Sequence, residues 1–153
     1  TELRRSRMGF VFQSFNLLPV LSAIQNVELP LIVGGTHRRY AHEQAKHMLE
    51  MVNLGDRLKH RPMELSGGEQ QRVAIARALV TTPAIVWADE PTGNLDSERS
   101  NEIMDLLTRL NKEHDQAIVM VTHDISISQR AHRIIRMRDG QIESDRQSDT
   151  QPV

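Results

Sequence analysis

The chain has 153 residues, 39% of them apolar and 25% charged, with a net charge of -1; that suffices for one domain with a core and creates no field that would draw in nucleic acid. It contains no cysteine, which excludes disulfides and cysteine metal sites, and its 3% of aromatic residues is too few for a base-stacking surface. No apolar run approaches a membrane span, so any membrane association would pass through a partner.

Residues 1–7 are polar and basic, and Met8–Phe12 is a short apolar run that predicts a buried strand ending at Gln13. Ser14–Pro19 reads as a loop with apolar side chains, and Ser22 can cap a helix reaching about Leu29, before Pro30. Ala41, Ala45, Met48, Leu49 and Val52 recur at helical spacing, with Gly55 as the stop signal. The charged stretch Asp56–Glu64 predicts a loop. Ser66 then caps a helix whose apolar part is Val73–Val80, and Thr81-Thr82-Pro83 breaks it.

Ala84–Ala88 is a continuous apolar run, as a strand buried on both faces requires. A turn at Pro91–Asn94 follows. Ser97 can cap a helix to about Asn111 with Ile103, Leu106, Leu107 and Leu110 inside. Ala117–Val121 predicts another buried strand, and a short helix follows Asp124. Asp139-Gly140 between Arg133–Arg138 and Gln141–Asp145 is the strongest hairpin signal in the chain, and Arg146–Val153 reads as a frayed polar tail. The order implies an α/β domain with a largely parallel sheet and a helical insertion between Gln13 and Ser66.

The stretch around which the rest is organised is Leu65-Ser66-Gly67-Gly68-Glu69-Gln70-Gln71-Arg72. A capped helix start with two glycines gathers free N–H groups where nothing bulky intervenes, and phosphate is the usual anion for such a place. Ser-Gly-Gly before an apolar run also occurs as an ordinary capped helix. Its company decides otherwise: Gln13 closes a strand upstream, Asp89-Glu90 closes one downstream, and His123 closes a third. This set in this order resembles the ATP-binding cassette (ABC) ATPases, from about Met8 to Asp145.

The resemblance implies a P-loop NTPase fold, ATP and Mg²⁺ as cofactors, and a role for each matched residue. Ala84–Glu90 is similar to a Walker B segment: Asp89 would hold Mg²⁺, and Glu90 would orient and polarise the water that attacks the γ-phosphate. Gln13 resembles the Q-loop glutamine, whose neutral amide meets Mg²⁺ or that water, and His123 resembles the switch histidine that senses the γ-phosphate. Ser66, Gly67, Gly68 and Gln70 would contact a nucleotide held mainly by a second subunit in a head-to-tail pair. Asn94, Leu95 and Asp96 look like the D-loop facing that subunit, although Asp96-Ser97 also reads as a plain helix cap.

The domain layout implied is residues 1–13 leading to the Q-loop, 14–81 as the helical subdomain, 82–145 as catalytic core and 146–153 as tail. The phosphate-binding Gly-x-x-x-x-Gly-Lys segment is missing, since the only lysines are Lys46, Lys59 and Lys112 and none follows a glycine. The expectation is therefore a fold incomplete at its N-terminus and a chain inactive by itself.

Phe12–Pro19, Asn26–Leu31 and Ala88–Ser97 are similar to the branch serving lipoprotein release and macrolide export. That branch implies a transmembrane permease subunit as partner and work at the cytoplasmic face of the inner membrane. Phe15, Leu17 and Leu18 form an apolar group after Gln13 that suits gripping a partner's helix, and at least one of the three is expected instead to plug the core of the helical subdomain. Two other readings compete. A DNA-repair ATPase would insert coiled coils or zinc modules between Gln13 and the signature, whereas that interval holds about fifty residues without heptads or cysteine. A non-catalytic remnant is favoured only by the missing phosphate loop.

Overall fold

The computed structural model describes residues 8–114 and 116–147, so residues 1–7 and the tail from residue 148 lie outside the described residues. It comprises two compact units, one running through Val121 and the other starting at Thr122.

The first unit is built on three parallel strands in the order β1 (Met8–Phe12), β2 (Ile85–Asp89), β3 (Ala117–Val121). Between β1 and β2 lie α1 (Ala23–Val33), α2 (Arg38–Met51) and α3 (Gly67–Leu79); α4 (Ser97–His114) joins β2 to β3. This is the expected α/β architecture with a helical insertion, and parallel pairing follows because each strand returns through helices rather than a tight turn. Helix α3 packs on β1, α1, α2 and α4, so it sits at the centre. Val73, Ile75, Val11, Val27, Leu49, Val86, Ile103 and Leu110 lose essentially all contact with solvent around it. At Gly9 the helix comes so close that a Cβ would lie 2.4 Å from the Ala78 carbonyl oxygen, so glycine alone fits there.

Several boundaries differ from those expected. Helix α1 runs through Pro30 to Val33, because its last turn is closed by bonds from Gly34 N to the Pro30 carbonyl (3.0 Å) and from Thr36 N to the Leu31 carbonyl (2.9 Å). Helix α2 ends before Gly55: Asn53 takes the left-handed turn (φ 60°), and Leu54 N caps the Leu49 carbonyl at 2.8 Å. Gly55–Arg57 and Pro62–Glu64 are 3₁₀ turns inside the expected loop. Asp96, not Ser97, caps α4, its Oδ1 accepting from Arg99 N at 2.9 Å, and α4 continues to His114.

The strands also depart from the expected burial on both faces. Gly9 and Val11 in β1, and Val86 and Ala88 in β2, face the helices and are buried. The alternate positions Phe10, Phe12, Trp87, Val119 and Val121 are each more than a third exposed, and Phe10 stacks on Phe12 with ring centroids 6.1 Å apart. An apolar run alone does not reveal whether one face or two are covered.

In the second unit, Asp124 caps α5 (Ile125–Ser128), accepting from Ser126 N at 2.8 Å. Strands β4 (Arg133–Arg138) and β5 (Gln141–Gln147) then form the expected hairpin, with Asp139 and Gly140 both at positive φ. Arg146 and Gln147, expected to fray, pair with Ile134 and Arg133. Arg133 grips Asp145 through Nε (2.9 Å) and Nη2 (2.6 Å), which holds this end of the ladder closed.

Trp87 is the only tryptophan and lies on the open sheet face, so its fluorescence reports that face. The 153-residue chain should emit as a partly hydrated indole, readily quenched by acrylamide, and Trp87→Lys should reduce binding of an apolar dye. A blue-shifted, unquenched Trp87 would show the face to be covered.

Candidate functional site

The site grows from the carboxyl ends of β1 and β2, which are paired at Phe12 and Asp89. Gln13 follows the first and Glu90 the second, so two chain reversals begin side by side where α/β sheets place their ligands. Asp89 ends β2 with its side chain exposed. Glu90 has φ 46°, a conformation that costs a non-glycine residue on the order of 1 kcal/mol. Its backbone N–H donates to the Val121 carbonyl at 2.9 Å, which fastens the strained residue to the end of β3.

The loop after Glu90 is bound to Gln13. Asn94 Nδ2 donates to the Gln13 carbonyl at 2.9 Å, and Gln13 Nε2 donates to Asn94 Oδ1 at 3.4 Å. A Cβ at Gly93 would lie 2.6 Å from Gln13 Nε2, so Gly93 supplies the space in which that amide rests. The expected Q-loop and D-loop residues therefore touch within one chain.

Residues Ser66–Gln70 lie beside them. Ser66 Oγ accepts from Glu69 N (3.3 Å) while Glu69 Oε2 accepts from Ser66 N (2.8 Å), a reciprocal capping box. It leaves the Gly67 and Gly68 N–H groups as the first-turn donors that the box does not use. Gly67 is half-buried, with Leu95 Cδ2 3.5 Å and Phe15 Cζ 3.8 Å from where its Cβ would be, and Gly68 is buried with the Arg99 stem at 3.4 Å from its own. Gln70 is turned back, its Nε2 donating to the Leu65 carbonyl at 3.1 Å. Asp96 is engaged by Arg99 through both backbone (2.9 Å) and Nη1 (2.8 Å), so its reading as a helix cap holds.

Phe15 and Asn16 both take positive φ (60° and 49°), and Arg77 of α3 holds their carbonyls at 2.9 and 2.6 Å. Burial lowers the Arg77 pKa, and the guanidinium remains charged at any ordinary pH. Phe15 and Leu17 are half-buried and Leu18 is exposed. Beneath them Asn26, fully buried, accepts from Leu18 N (2.8 Å) and donates to the carbonyls of Leu18, Leu21 and Ser22 at 3.0–3.2 Å.

Arg77 and Gln71 carry no individual role in the sequence; the signal available for both is a polar side chain set among apolar neighbours of α3. His123 belongs to the second unit, exposed and directly before the cap residue Asp124. Hydrogen bonds from the Ser126 hydroxyl and backbone hold the Asp124 carboxyl below its usual pKa.

The donor chemistry suits an anion at Gly67–Gly68 and a hard cation at Asp89 and Gln13. Among the described residues there is no cluster of three histidine, aspartate or glutamate side chains. Mg²⁺ does not require one, since it takes one or two carboxylates and completes its shell with water and phosphate oxygens.

A family model described as ABC transporter matches residues 1–93. The chain belongs to the ABC transporter ATP-binding family. An uncharacterised ABC transporter ATP-binding protein of Thermotoga maritima is 51% identical over 93% of the chain and 60% of its own length. The ABC transporter ATP-binding protein YbbA of Escherichia coli K12 is 49% identical over 94% of the chain and 63% of itself. The macrolide export ATP-binding/permease protein MacB of Syntrophobacter fumaroxidans is 51% identical over 94% of the chain, which covers 20% of that protein.

The solved ABC cassette MJ0796 of Methanocaldococcus jannaschii, a dimer in a post-hydrolysis state bound to ADP and Pi, superposes with a TM-score of 0.83 at 45% identity. The match covers 97% of the chain and 66% of that structure. The chain spans 60% and 63% of the length of the first two relatives and 20% of the third. Among the described residues no helix is long and apolar enough to cross a membrane.

The capping box predicts a pH signature. The Glu69 carboxyl sits below its usual pKa of 4.5 chiefly through the Ser66 backbone N–H, with Ser66 Oγ and Arg57, at 3.1 Å, adding to it. A lowered carboxyl pKa favours the folded state while the group is ionised. This contribution is full above pH 4.5 and fades as pH falls through the lowered value. Melting temperature measured against pH should fall more steeply below 4.5 in the unmodified chain than in Glu69→Gln.

Proposed function

We propose that this chain is the helical and catalytic portion of an ATP-hydrolysing subunit that pairs head to tail and drives a transmembrane permease. One observation carries the reading: Glu90 is held in a strained conformation at the end of β2, beside a Gln13 that is bonded to Asn94. Backbone strain of this kind persists only where the surroundings enforce it, and it concentrates at functional sites.

In this reading Glu90 takes the proton of the attacking water and Asp89, with Gln13, faces the metal. Mg²⁺, when bound, would neutralise charge on the phosphate oxygens. Gln13 orients water through its amide while Asn94 fixes the amide's position. Ser66, Gly67, Gly68 and Gln70 complete the site of the partner subunit, with the Gly67 and Gly68 N–H groups meeting its γ-phosphate at the positive end of α3. Asn94, Leu95 and Asp96 face the second subunit in this reading. His123 reads the γ-phosphate through its imidazole.

Residues 14–81 act as the helical subdomain and 82–145 as the remaining core, bounded by 1–13 and 146–153. The exposed Leu18, with Phe15 and Leu17, contacts the permease at the cytoplasmic face of the inner membrane. The likeness to proteins named for macrolide export and syringafactin export supports an export-type or lipoprotein-releasing transporter.

In the full subunit Glu90→Gln should retain ATP binding and lower turnover by a factor of about 100 or more, the usual worth of a general base. Turnover near that of the unmodified subunit would remove Glu90 from this role. Gly67→Asp places a negative side chain where phosphate must dock; dimer formation measured by gel filtration with ATP should fail while monomer affinity for ATP persists. The 153 residues contain no Gly-x-x-x-x-Gly-Lys cradle. Titration of labelled ATP into this chain alone should therefore show negligible binding, and micromolar affinity would reveal a second phosphate site.

A further inference from the structure

Gln71 is polar, carries no solvent-exposed surface, and sits on α3 among Val73, Ala74 and Ile75. Its Nε2 donates to the Pro91 carbonyl at 2.5 Å. Its Oε1 is buried and accepts no hydrogen bond among the described residues. A buried acceptor left unpaired costs stability, and an apolar side chain of the same shape would avoid that cost. What the amide contributes is therefore position: it fixes one carbonyl, and that carbonyl belongs to the residue directly after Glu90.

The rest of this loop is fastened as well. Thr92 is buried, Gly93 N donates to the Glu90 carbonyl at 3.0 Å, and Leu95 N to the Thr92 carbonyl at 3.0 Å. These bonds are internal to the loop; Asn94 ties its far end to Gln13 after β1, and Gln71 ties its start to α3. That element begins at Gly67, a little over one turn away, and a helix transmits a displacement over that distance without bending.

We propose that Gln71 is a positioning residue that links the phosphate-facing start of α3 to the backbone of Glu90, so that docking at Ser66–Gly68 adjusts the base of the same chain. The link rests on the reading of Glu90 and Ser66–Gly68 given above. It gives each subunit a route by which contact with its partner's nucleotide changes its own catalytic geometry. Direct ligation by Gln71 is excluded by its burial.

In the full ATP-binding subunit, Gln71→Met keeps the shape and removes the donor. The expected result is a kcat lower by about tenfold, the worth of one buried hydrogen bond, with KM for ATP changed by less than about twofold. Hydrogen exchange should accelerate at residues 92–96 and not in α1 or α2. Combined with Glu90→Gln, the same change should lower turnover no further, because it acts through Glu90.

An unchanged kcat, or a full additional loss on top of Glu90→Gln, would overturn the link while leaving the role of Glu90 intact. If Glu90→Gln alone left turnover unaffected, the functional reading itself would fall. Should Gln71→Met not fold, Gln71→Asn withdraws the amide from Pro91 within a polar side chain and should give the same kcat loss. Failure of both to fold would show Gln71 to be structural only and overturn the proposal.

Discussion

The near contact of α3 with β1 at Gly9 fixes the geometry on which the first unit depends. With only a hydrogen between strand and helix at that point, the Ala78 carbonyl lies almost on the sheet. From there the rest of α3 has little freedom. Its Arg77 reaches the Phe15 and Asn16 carbonyls just past β1, and its Gln71 reaches Pro91 just past β2. A side chain at residue 9 would lift the helix, and both polar tethers would lose their partners together. Packing of this kind is more exacting than apolar burial, which tolerates exchange of one aliphatic residue for another.

After β1 and β2 the non-glycine residues Phe15, Asn16 and Glu90 hold left-handed backbone conformations. Each is held by a hydrogen bond with a different element: Arg77 donates to the carbonyls of the first two, and the Glu90 N–H donates to the Val121 carbonyl. The strain is thus stabilised from outside the loops that contain it. Such loops are neither floppy nor relaxed; they hold one conformation while their neighbours stay in place, and they change when a neighbour moves.

Much of this was legible in the sequence, and the exceptions have physical causes. The strands at Met8–Phe12 and Ala117–Val121, the Ser66 cap and the Asp139-Gly140 turn announce themselves through short-range rules, and the structure places their bounds, though not the strands' burial, as expected. The Gln13–Asn94 pair joins residues 81 apart in sequence, which no local pattern encodes. Gln71 and Arg77 look like ordinary helix polars until their carbonyl partners are seen. Pro30 lies inside α1 although its local penalty favours a helix end there, because the bonds around the last turn hold the helix together. The sheet's open face escaped notice because Phe10, Trp87 and Val119 are as apolar as the residues that face the helices.

Asn26 has a consequence for recognition kinetics. Four hydrogen bonds from one buried amide fasten residues 18–22 to α1, so Leu18 and Val20 stand exposed on a segment that is already ordered. Apolar side chains on a mobile loop would have to be immobilised by whatever docks on them, at about 1 kcal/mol or more for each residue fixed. Here that entropy is lost on folding rather than on binding. An encounter at this surface can then proceed as rigid docking, with rates set by collision and orientation rather than by loop rearrangement.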